Sequence, residues 1–108
     1  MNADSYQVLF MTAKDEEEAG EIAEALVNEG LVACVNYLSE CRSVYRWKGK
    51  TVRDDEVLII AKTCRSNFDA IVKRVNELHS YDVPEVIGTD LVSISKGYLE
   101  FLDDVLRE

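Results

Sequence analysis

Proline occurs once in the 108-residue chain, at Pro84, and histidine once, at His79. With one proline and five glycines, the sequence cannot be a collagenous, proline-rich or glycine-rich spacer. The three cysteines, Cys34, Cys41 and Cys64, are odd in number and show no CxxC spacing. That rules out a fully paired disulfide framework and the usual zinc-ribbon arrangement, and leaves three reduced thiols as the expectation. No apolar run approaches the roughly 18 residues of a membrane-spanning helix. Positive charge is scarce: 12 lysines and arginines face 21 aspartates and glutamates, for a net charge of -9. This is the wrong sign for a general nucleic-acid binder, which neutralises phosphates with lysine and arginine. The opening "MNADSYQVLF" has neither the basic start nor the apolar core of an export signal, so a cytoplasmic location is expected. A nucleophile elbow, a P-loop, an HExxH pair and a second histidine for a triad are all missing, and no enzymatic activity is expected.

What is present is a clear alternation of periods. Residues 6–13, "YQVLFMTA", are apolar on both faces, as a strand covered on two sides would be. Asp15 and Glu18 form a capping pair for a helix whose Ala19, Ile22, Ala23, Leu26 and Val27 repeat at helical spacing, with Gly30 at its C′ position. The β-rich stretches 31–47 and 51–63 flank Lys48–Gly49–Lys50 and predict a long hairpin. Ser66 is placed to cap a second helix carrying Phe68, Ile71, Val72, Val75 and Leu78. Residues 85–94 read as a fourth strand, and Ser95 opens a C-terminal helix bearing Tyr98, Leu99, Phe101, Leu102, Val105 and Leu106. The order β-α-β-β-α-β plus one helix predicts one α+β domain over residues 1–108. It is a ferredoxin-like sandwich with the first and third strands central and both crossover helices on one face.

The hairpin is too long for a domain of this size. Its first arm, about 16 residues, would run roughly 50 Å, against a radius of gyration near 13 Å for a compact chain of about 100 residues. It must bend, overhang the body, or both. An overhanging ribbon bearing Tyr37, Val44, Tyr45 and Trp47 exposes apolar surface and strand edges, and is expected to pack against other copies of the chain.

The segments "ACVN" (33–36), "SVYRWKGK" (43–50), "AKT" (61–63) and "LHSYDVPEVI" (78–87), in that order and spacing, resemble the CutA family of divalent-cation tolerance proteins. The resemblance runs from about Val8 to Leu102. It implies a ferredoxin-like fold, a tight homotrimer, a role in copper or heavy-metal tolerance, and a likeness to the trimeric PII signalling proteins. It also implies metal ligands at Met11, where a cysteine stands in copper-binding members, and at His79, beside Leu78 where a second histidine stands. A thioether suits soft Cu(I) but is uncharged and weaker than a thiolate, so metal binding is expected to be weak and no cofactor obligatory.

Other readings of these residues accompany that one. His79 falls in the last turn of the second helix, where an imidazole favours the dipole and can cap free carbonyls. Pro84 redirects the chain into the fourth strand. Lys62, ending the apolar run "VLIIAK", is expected to reach a carboxylate such as Glu85. With Trp47 or Tyr81 as an aromatic wall, the group would form a polar cleft between subunits. The hairpin's Arg42, Arg46, Lys48, Lys50 and Arg53 are expected to meet the acidic surface of a neighbouring copy. The alternative to metal binding is a PII-like small-ligand sensor or interaction scaffold on the same trimer.

Overall fold

The computed structural model describes residues 5–107, so part of the N-terminal stretch used for the export reading lies outside the described residues. The elements are β1 (Tyr6–Ala13), α1 (Glu16–Asn28), β2 (Cys34–Trp47), β3 (Lys50–Cys64), α2 (Phe68–Leu78), β4 (Val86–Asp90) and α3 (Lys96–Leu106). One four-stranded antiparallel sheet runs in the order β2-β3-β1-β4, with β3 and β1 in the middle as expected.

Strand alternation assigns the two faces. Leu9 lies opposite Ala61, Met11 opposite Ile59 and Ala13 opposite Val57, and these six share the main core with Ala19, Ile22 and Leu26 of α1 and Ile71 and Val75 of α2. On the other face α3 covers one end only. Leu102 buries against Tyr6 and Cys64, and the Tyr6 hydroxyl donates to Asp103. The rest of that face is an apolar row in which Leu38 pairs with Leu58, and Phe10 lies between Ile60 and Ile87. Leu38 and Ile87 are exposed there, and Phe10, Leu58 and Ile60 only half-buried.

The hairpin both bends and overhangs. Lys48 (φ 50°) and Gly49 (φ 79°) form a two-residue turn of the primed type, closed by Trp47 opposite Lys50. Between Leu38 and Cys41 the register shifts, and Glu40 takes the left-handed conformation at φ 65°. This bulge docks onto the start of α1, where the Ser39 hydroxyl donates to Glu16. β1 pairs only with residues 57–64 of β3, so beyond Cys41 and Glu56 the hairpin is a free two-stranded ribbon. The molecule is accordingly 44 Å long by 25 and 23 Å, with a radius of gyration of 14.5 Å.

Five local expectations are corrected. Val27 is 42% exposed, because the buried stripe of α1 ends at Leu26. Ser66 does not cap α2; it sits in a 3-10 turn, Arg65–Asn67, and its hydroxyl meets the Cys64 thiol at 3.3 Å. Residues 31–33 are a bend rather than strand, and β4 is half the predicted length. The ribbon is mixed in charge rather than basic: Arg42 faces and pairs with Asp55 at 3.7 Å, and Asp54 and Glu56 lie on the same arm. In urea unfolding, Ile59→Ala is expected to cost about 2–5 kcal/mol through cavity formation, while Val27→Ala should stay within about 0.5 kcal/mol.

Candidate functional site

At the end of the sheet where β1 stops and the ribbon leaves, the chain from α2 to β4 folds across. Its anchor is His79. The ring is buried, with its side chain 1% exposed. Nε2–H donates to the Thr12 carbonyl at 2.7 Å and Nδ1 accepts the Tyr81 amide at 3.1 Å, an arrangement that requires the Nε2–H tautomer. The imidazole therefore ties α2 to the end of β1 rather than capping the carbonyls of its own helix.

Beside it lies Glu18, a buried carboxylate 7% exposed. It completes the N-terminal cap of α1: the Glu18 amide donates to Asp15 at 2.9 Å, while Oε1 accepts the Lys14 amide at 3.1 Å. Its other oxygen accepts the Ser80 amide at 2.9 Å, and Oε1 stands 3.7 Å from His79 Nδ1. Burial pushes the Glu18 carboxyl up, but the hydrogen bonds from Ser80 and Lys14 outweigh it and hold it below the usual range.

Tyr81 carries this arrangement to the surface. Its ring packs on His79 with centroids 4.5 Å apart, and its hydroxyl donates to Glu56 Oε2 at 2.8 Å. Burial, then that bond, raise the Tyr81 phenol well above its ordinary value, so it stays a hydrogen-bond donor. Beyond it opens a cleft of about 360 Å³, lined by Thr12, Tyr45, Trp47, Glu56, Tyr81, Asp82, Val83 and Glu85. Tyr45, on the ribbon side, donates its hydroxyl to Asp54 at 2.5 Å. No lysine, arginine or histidine is among the lining residues.

Of the four cleft candidates, Trp47, Tyr81 and Glu85 come together, whereas Lys62 does not. It pairs with Val8 and Cys34 towards the other end of the sheet, and its ammonium donates to Asn36 at 2.5 Å. Met11 is 1% exposed inside the main core, and both nitrogens of His79 are already engaged within the chain. Among the described residues no group of three or more histidine, cysteine, aspartate or glutamate side chains is placed to hold a metal ion. Tyr37, Val44, Tyr45 and Trp47 are all 41–59% exposed, though Tyr37 also leans on α1, where its hydroxyl lies beside Gly20. Sequence reasoning missed Thr12, Tyr45, Glu56, Asp82 and Val83 as cleft residues and the second role of Glu18. The acidic run "RDDEV" was the only signal for Glu56, and it reads equally as a solvated ribbon.

This is an α+β protein with a four-stranded antiparallel sheet, three helices and an aromatic and acidic cleft at the foot of a projecting ribbon. The family described as CutA1 divalent ion tolerance protein matches residues 7–105, and the chain belongs to that family. The divalent-cation tolerance protein CutA of Thermus thermophilus is 41% identical over 96 residues, covering 89% of this chain and 93% of that protein. Protein CutA, chloroplastic, of Arabidopsis thaliana is 40% identical over 93% of this chain, which spans only 55% of that relative's length. The crystal structure of CutA1 from Oryza sativa matches with a TM-score of 0.91 at 39% identity, over 95% of this chain and 94% of that one. These names describe tolerance or the family itself, and none describes a reaction.

Because Glu18 titrates lower folded than unfolded, its stabilisation is full above the ordinary carboxyl value of about 4.5 and fades as pH falls through the lower, folded one. Glu18→Gln is expected to lose about 1–3 kcal/mol at neutral pH. The deficit should narrow as urea unfolding is repeated towards pH 3.

Proposed function

We propose that the protein serves in divalent-cation tolerance as a cytoplasmic homotrimer of ferredoxin-like subunits, holding copper or other divalent ions weakly, with none as an obligatory cofactor. The observation that carries this reading is the unfinished surface of the single chain. A free ribbon bears half-exposed Tyr37, Val44, Tyr45 and Trp47, and it continues into an apolar sheet face that α3 covers at one end only. Copies packing ribbon to face would bury both. The element order, with β1 and β3 central, supports the ferredoxin-like description. Weak metal binding is what the donors favour: a thioether sealed in the core, an imidazole with both nitrogens in use, and scattered carboxylates on a chain of charge -9. Neither nucleic acid nor a membrane enters this reading, and no helix among the described residues is long and apolar enough to cross a membrane.

The formed cleft favours a second reading on the same trimer, a PII-like small-ligand sensor or interaction scaffold that works without metal.

Light scattering is expected to give about three times the chain mass of 12.2 kDa. Shortening the ribbon tip at Lys48–Lys50 should release smaller species, and a monomeric parent protein would sink the trimer. Calorimetric titration with Cu(II) and Zn(II) is expected to give weak binding that His79→Gln leaves unchanged. A loss of about tenfold or more in that variant would instead make His79 a ligand.

A further inference from the structure

We propose that the cleft at the foot of the ribbon is a binding site for a small alkylammonium cation, an inference that rests on the ligand-sensing reading of that cleft. Its volume, about 360 Å³, falls in the range of small-molecule sites. Its chemistry selects the sign of the ligand. Three carboxylates, Glu56, Asp82 and Glu85, line it without any basic side chain, which disfavours phosphate, carboxylate and nucleotide ligands.

The aromatic walls then select among cations. Tyr45, Trp47 and Tyr81 offer three π systems, which attract a weakly hydrated ammonium held against them. A divalent metal ion instead needs several oxygen donors converging at coordination distance, and no such group of three exists among the described residues. Trp47 is already engaged with one cation, its ring centroid standing 5.9 Å from the ammonium of Lys48.

The acidic wall is also held in place before any ligand arrives. Glu56 is buried and receives the Tyr81 hydroxyl, and Tyr81 is in turn held by its amide on His79 and the ring contact behind it. Preorganisation of this kind lowers the cost of binding. The rival occupant is a lysine or arginine side chain from a second copy of the chain.

Trp47 is the only tryptophan, so its fluorescence reports on the cleft directly. The full-length protein is titrated with choline and, separately, with its neutral isostere 3,3-dimethylbutan-1-ol, both against sodium chloride at matched ionic strength. A saturable change with choline is expected, with the neutral isostere at least about tenfold weaker. Glu85→Gln, at an exposed position, should weaken choline by several fold while leaving the melting temperature of the free protein in place. Equal responses to choline and the isostere would overturn the proposal by making the cleft merely apolar. No response to choline would overturn it by showing the cleft closed or filled by a neighbouring copy. If ATP or citrate raises the melting temperature while choline does not, the alkylammonium assignment falls and the sensor reading survives. If Zn(II) alone changes the Trp47 signal and EDTA reverses it, the sensor reading falls too.

Discussion

The eight residues of β1 can pair with only eight of the fifteen in β3. This mismatch in strand length organises the molecule. The paired half of β3 lies on a helix-covered core, and the other half pairs with β2 alone. Where the two halves meet, one extra residue in β2 and a left-handed Glu40 turn the ribbon away from the body. The connection from α2 to β4 crosses the sheet at the same end, so the cleft forms beside the point where the third strand runs out. A β1 extended by several residues would leave neither the ribbon nor the cleft.

A single histidine secures the other side of that cleft. The imidazole does there what two backbone segments cannot do for each other, since the Thr12 carbonyl and the Tyr81 amide are both satisfied by one ring. Glu18 satisfies two further amides, at Lys14 and Ser80, and so joins the start of α1 to the same connection. Four backbone groups that would otherwise be left unpaired at the end of a sheet are thereby closed by two buried side chains. The family to which the chain belongs is named for tolerance of metal ions. In this member both nitrogens of the one imidazole are hydrogen-bonded within the chain.

Much of the fold was legible because its elements follow one period each. The apolar run of β1, the helical repeats of Ile22, Leu26, Ile71 and Val75, and the Lys48–Gly49 turn all sit where their residue types favour them. The misses arise where tertiary geometry overrides local preference. Glu40 takes a positive φ that its residue type does not advertise, because the bulge is anchored to α1 through Ser39. Trp47, Tyr81 and Glu85 could be grouped because recognisable segments flank them. Within one chain Lys62 lies apart from them, because the register between β3 and β1 sets it opposite Val8. Glu56 escaped notice because its partner Tyr81 lies 25 residues away, across a connection whose path only the buried histidine determines.

The two partners of β1 differ sharply in when they become available. β2 and β3 face each other across a two-residue turn, so their pairing is local and needs little chain closure. β1 joins β4 through pairs such as Gln7 with Asp90, and Tyr6 meets Asp103 at a separation of 97 residues. During synthesis the ribbon can therefore zip while the first strand still has an open edge. The sheet closes only when nearly the whole chain has left the ribosome, with β4 and α3 as the last pieces to dock.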